Sequence, residues 1–110
     1  MTDTESLLET EDEGHLPDRE RALFELLYAT GLRVSEVAAL DLEDVDLFAR
    51  MLRAQGKGRK ERIVPFGETA EDALRAWLPV RRELRLSASG GDEPLFVNAR
   101  GGRLTTRSMA

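Results

Sequence analysis

The sequence predicts an α+β domain, mainly helical, with a small antiparallel three-stranded sheet. Three observations carry that prediction. Apolar residues recur at helical spacing in two stretches, Ala22-Leu23-Leu26-Leu27 with Phe24, and Ala70-Ala73-Leu74-Trp77. Two short strand-like runs, Arg50 to Gln55 and Arg62 to Phe66, flank the glycine-punctuated segment Gly56-Lys57-Gly58-Arg59-Lys60-Glu61, as the arms of a hairpin do. A third short run, Leu95-Phe96-Val97, lies between two loop-forming stretches and supplies the remaining strand.

In chain order, Thr4 to Thr10 can form a short helix with Leu7 and Leu8 as its apolar contacts, and Glu11 to Pro17 reads as a loop. Residues 1–17 thus make an acidic N-terminal segment, and 18–110 one domain-sized unit. Asp18 follows Pro17 and suits a helix N-cap, and the stripe behind it runs to Ala29, with Tyr28 as a packing residue. Gly31 is the left-handed stop. A second helix spans about Arg33 to Leu40. Asp41-Leu42-Glu43-Asp44-Val45-Asp46 reads as a capped turn that points Leu42 and Val45 inward.

Pro65, lacking a backbone donor, puts the second arm of the hairpin at a sheet edge or at its own end. Glu68 to Leu78 has helical spacing anchored by Trp77, and Pro79 either kinks that helix or starts another running to about Leu86. Ser87 to Asp92 is a loop, and Ala99 to Arg103 a turn. Thr105-Thr106-Arg107-Ser108 resembles the cap of a further helix, so the domain is expected to be cut at a helix start.

Composition narrows the function classes. The 110 residues, 41% hydrophobic and 34% charged, suit one small globular core. No apolar run approaches the ~20 residues of a membrane span, and the acidic Met1-Thr2-Asp3-Thr4-Glu5 is unlike a secretory signal. No membrane partner is expected. The absence of cysteine excludes disulfides and thiolate metal sites and fits a reducing cytoplasm, the expected location. His15 is the one histidine, so neither a His-based triad nor a metal or other cofactor is expected. Glu43, Asp44 and Asp46 lack partner ligands at matching spacing and read as a capping turn.

The net charge of −5 argues against nucleic acid only until it is divided along the chain. Residues 1–20 carry a net −7, and the other 90 carry +2. Between Arg50 and Arg62 six basic residues face one acid, Glu61. Fourteen of the sixteen basic residues are arginine, the type best shaped for bidentate phosphate contacts.

Arg33 and Lys57 are the candidates for chemistry. An arginine at a helix mouth can join its guanidinium fork to unpaired backbone N–H groups around a phosphate. Alternatively, Arg33 pairs with Glu36 or with the acidic turn Asp41 to Asp46. Gly56-Lys57-Gly58 frees the backbone for a long cation to reach into a groove, or else forms a solvated tip that protects a sheet edge. No Ser or Thr follows Lys57, so a Walker-type loop is excluded. Arg59, Lys60 and Arg62 are candidate DNA-backbone contacts, or simply solvated charges.

The strings Leu27-Tyr28-Ala29-Thr30-Gly31-Leu32-Arg33-Val34-Ser35-Glu36, Asp44-Val45-Asp46, and Gly56-Lys57-Gly58-Arg59-Lys60-Glu61-Arg62-Ile63-Val64-Pro65 resemble the first half of the catalytic domain of Xer-type tyrosine recombinases, in the phage integrase family. The resemblance covers nearly the whole chain. It implies that Arg33 clamps the scissile phosphate of duplex DNA, that Lys57 is general acid for the leaving 5′-hydroxyl, and that Glu36 supports Arg33. It implies a metal-free reaction through a 3′-phosphotyrosine, with other recombinase protomers as partners of the full-length protein. It also implies that a His-x-x-Arg motif and a C-terminal tyrosine would follow Ala110. On that reading the chain holds no nucleophile, does not cleave DNA alone, and exposes apolar faces that invite self-association without biological meaning. Two other classes stay open: a non-catalytic DNA-binding module, and a structural or protein-interaction domain.

Overall fold

The structure is a computed structural model and describes residues 16–55, 60–86, 88 and 91–106. The expected helix at Thr4–Thr10, His15, and the hairpin tip with Lys57 and Arg59 lie outside the described residues.

Helix α1 spans Pro17–Thr30. It starts two residues earlier than the sequence implies: Pro17 opens the helix, Leu16 is the N-cap, and Asp18 lies inside the first turn instead of capping it. Proline has no N–H to leave unpaired and a φ already suited to a helix, so it takes the first position readily. Asp18 and Glu20 then face the positive end of the helix dipole. The buried stripe is Arg19, Ala22, Leu23 and Leu26. Phe24 and Tyr28, expected to pack inward, lie on the opposite side and stack on each other with centroids 6.3 Å apart. At about 100° per residue their positions point away from that stripe, and Tyr28 is 82% exposed.

Gly31 ends α1 with φ 72°, its N–H donating to the Leu27 carbonyl at 2.9 Å. Thr30 tightens the turn: its hydroxyl donates to the Leu26 carbonyl at 2.7 Å and accepts the Leu32 N–H at 3.2 Å. Helix α2, Val34–Ala38, follows at once, shorter than predicted. A 3-10 turn over Leu42–Asp44 leads into β1, Val45–Asp46.

Strands β2, Met51–Gln55, and β3, Glu61–Pro65, form the expected hairpin. The antiparallel sheet has the order β1-β2-β3, with Ala54 opposite Arg62 and Met51 opposite Pro65. Pro65 therefore ends an edge strand, where its missing N–H breaks no ladder bond. The sheet does have three strands, but the third is Val45–Asp46 and not Leu95–Val97. Residues 94–97 instead make isolated bridges, Asp41 with Pro94 and Val97 with Arg103. Leu95 donates to the Leu40 carbonyl and Leu104 to the Phe96 carbonyl, so this buried segment satisfies its backbone without joining a ladder.

Helix α3, Gly67–Arg85, runs through Pro79 as one 19-residue element. Its buried face is Ala70, Ala73, Leu74, Trp77 and Arg81, the predicted stripe extended by one turn. Trp77 sits at the centre of the core, stacks on Phe96 and donates its indole N–H to the Leu95 carbonyl at 2.9 Å. Burying such a ring while pairing its one polar atom gives full hydrophobic gain with no orphaned donor. The core so formed, with Leu23, Leu26, Val37 and Leu52, holds the α1–α2 turn and the hairpin base against one another.

Candidate functional site

The site begins at the turn Gly31-Leu32-Arg33. Leu32 is buried and fixes the turn, while Arg33 is exposed beside it. Arg33 is the N-cap of α2, and because its side chain accepts no hydrogen bonds only half of a capping box forms. That half is supplied by Glu36, whose Oε1 accepts the Arg33 backbone N–H at 2.8 Å. The other oxygen, Oε2, lies 3.4 Å from Nη2 of Arg62 on β3. One carboxylate thus bridges the backbone of Arg33 and the guanidinium of Arg62.

Three of the acids that the sequence offered as structural partners for Arg33, Asp41, Asp44 and Asp46, are engaged elsewhere, and Glu36 meets its backbone N–H and not its guanidinium. Asp44 binds Arg53 at 3.2 and 2.9 Å and also accepts the Asp41 N–H. Asp41 holds Arg103, and Asp46 accepts the Ala49 N–H. Contact with Asp44 keeps the Arg53 guanidinium firmly charged, raising its pKa further. No hydrogen bond or ion pair of the Arg33 side chain forms among the described residues, so its five donors face solvent. Helix α2 has only five residues and Arg33's own N–H is occupied, so the fork itself, more than the helix mouth the sequence suggested, is what can meet an anion.

The hairpin base lies beside this turn. Gln55 donates to Glu61 across the last described pair at 3.2 Å, and Lys60 is exposed without an ion pair among the described residues. Lys57 and Arg59 belong to residues 56–59, outside the described set. Of the predicted site residues, then, the structure brings Arg33, Glu36 and Arg62 together and leaves Lys60 at the strand entrance.

Several arginines outside the candidate set have internal duties. Arg81 donates to the Pro94 carbonyl at 2.7 Å and to Glu93 at 3.0 Å, and Arg85 reaches the Gly101 and Asp92 carbonyls. Arg50, at φ 58°, anchors its turn to α3 through Glu71 at 2.6 Å, and Arg75 shares that carboxylate at 2.7 Å. Hydrogen bonds from Arg50 and then Arg75 hold the Glu71 carboxyl below its ordinary range. Only the Arg75 contact, four residues along the helix from Glu71, was readable from spacing.

A cleft lined by Asp41, Leu42, Glu43, Gly91, Asp92 and Glu93 carries four carboxylates, the wrong sign for a phosphate. Among the described residues no three His, Cys, Asp or Glu groups gather as a metal site would require. No helix among them is long and apolar enough to cross a membrane.

Comparison with known proteins agrees with this arrangement. The sequence profile described as "Phage integrase family" matches residues 2–110. The tyrosine recombinase XerC of Corynebacterium glutamicum is 50% identical over 91 residues, covering 83% of this chain and 28% of that protein. The XerC of Mycobacterium sp. strain KMS is 54% identical over 89 residues, covering 81% and 29%. A crystal structure of XerA recombinase superposes with a TM-score of 0.68 at 33% identity, over 84% of this chain and 32% of that one. The Tn1549 transposon integrase, in complex with transposon right end DNA, shares the fold with a TM-score of 0.62 at 21% identity, over 84% and 35%. The chain thus spans under a third of the length of these curated relatives. With the profile matching residues 2–110 and the XerC relatives about half identical over most of its length, the chain belongs to the phage integrase family, the tyrosine recombinases.

Proposed function

We propose that residues 18–110 are the first part of a recombinase catalytic domain that binds duplex DNA and supplies two of the cations for metal-free strand cleavage and rejoining. Arg33 clamps the scissile phosphate. Lys57 donates the proton to the leaving 5′-hydroxyl, and Arg59 and Lys60 add positive charge along the DNA backbone. One observation supports this most: Arg33 is exposed, its guanidinium pairs with no acid among the described residues, and Glu36, Asp41 and Asp44 are occupied by other groups. A guanidinium prepared this way stabilises charge developing on phosphate oxygens at no cost of breaking an internal ion pair.

The reaction is one of phosphoryl transfer to a tyrosine, and the 110 residues contain a single tyrosine, Tyr28, stacked on Phe24 in α1. By themselves these residues bind without turning over. In a full-length protein they act with other recombinase protomers, in the cytoplasm, on DNA.

The test is a salt titration of duplex-DNA binding by the unaltered chain, Arg33→Ala and Lys57→Ala. Each phosphate contact contributes a slope of about −0.9 in log affinity against log salt. Both substitutions are expected to weaken binding and to flatten that slope. Binding indifferent to both would assign the chain a structural role, and salt-steep binding without dependence on Arg33 would assign it a non-catalytic DNA-binding role.

A further inference from the structure

Arg62 differs from the other basic residues of the hairpin in what surrounds it. It lies opposite Ala54, which is completely buried, so both residues belong to the face of the sheet turned toward the core. From that face its side chain emerges toward α2 and ends 3.4 Å from Oε2 of Glu36. The side chain remains 55% exposed, whereas Glu36 is 23% exposed. Glu36 holds Arg33's N–H through its other oxygen. The carboxylate therefore cannot turn toward either partner alone without loosening the other.

We infer that Arg62 is a positioning residue: through Glu36 it sets the hairpin base at a fixed place relative to Arg33, and it does not itself spend its charge on a DNA phosphate. This rests on the reading of Arg33 and Lys57 as the paired cations of one site. Those two residues sit on separate elements, one at the α1–α2 turn and one between β2 and β3, so their spacing needs a link that neither supplies. Glu36 and Arg62 are that link. An ångström of misplacement at such a site costs on the order of 100-fold in rate, so a weak surface ion pair can matter beyond its own strength.

Two measurements on the 110-residue chain decide it. The first needs no DNA: amide exchange by NMR in Arg62→Gln and Glu36→Gln, with Arg82→Gln as a control on the exposed side of α3. The Arg33 amide is expected to exchange about 2- to 5-fold faster in Arg62→Gln, the range an exposed ion pair spans. The Trp77 and Leu74 amides should stay unchanged, showing the fold intact. The second is a double-mutant cycle in DNA binding. Arg62→Gln and Glu36→Gln should each weaken affinity, the pair together no more than either alone, with the salt slope of Arg62→Gln kept. An unchanged Arg33 amide overturns the inference, as does a multiplicative double mutant with the slope reduced by about 0.9, the mark of a direct phosphate contact. If the unaltered chain binds no DNA, the proposed function fails while the exchange measurement still judges the link.

Discussion

The carboxylate of Glu71 shows how much a single side chain can organise. It receives Arg50 from the β1–β2 turn and Arg75 from its own helix, and both hold its pKa down. A carboxyl whose folded pKa is depressed adds stability above its unfolded pKa, and that stability disappears as pH falls through the lower folded value. Glu71→Gln should therefore reduce the urea midpoint at neutral pH, and the gap to the unaltered chain should close as pH falls below about 4. A gap that persists undiminished in acid would show the contact to be packing alone. Gly101 illustrates a backbone requirement: at φ 86°, a Cβ there would press on the Leu84 carbonyl and on Ala88. Gly101→Ala is expected to lower stability by about 2–3 kcal/mol in chemical denaturation. Arg33 is the opposite case, exposed and lightly held, so Arg33→Ala should leave the thermal midpoint nearly unmoved while DNA affinity falls.

Among the elements, α3 carries an internal cost. Pro79 cannot donate to the carbonyl one turn back, and its ring crowds that turn, yet the helix continues to Arg85. Burial of Trp77 and Arg81 on either side of Pro79 offsets that penalty. Pro79 itself is exposed, so Pro79→Ala should raise stability by about 1–3 kcal/mol, read from the shift in denaturant midpoint. No change would mean that the helix had already relaxed around the ring. The sequence was informative wherever one element's own pattern decides the outcome: the Gly31 stop, the Ala70-to-Trp77 stripe, the two hairpin arms. It was misleading where partners decide. Leu95-Phe96-Val97 has strand composition, but Leu40 and Leu104 claim its backbone before any ladder can. Val45–Asp46 pairs with β2 because the 3-10 turn delivers it there, which no periodicity over two residues can reveal.

At the scale of the whole molecule, the candidate site is an arrangement of neighbours more than of motifs. The sequence suggested Arg33 and Glu36 from their spacing, and the family likeness suggested their roles. That Asp41 and Asp44 are taken by Arg103 and Arg53 depends on contacts 62 and nine residues apart, so the exposure of Arg33 could be learned only from the folded chain. The two extreme aromatic environments have a practical consequence. Trp77 is fully enclosed and Tyr28 faces solvent, and each is the only residue of its kind in the chain. The protein carries two independent optical reporters. Indole emission should redden only when the core opens, whereas the rate at which the phenol is nitrated should fall only when something covers the outer side of α1. A binding partner that slows nitration without moving the tryptophan spectrum would be mapped to that helix with no label added.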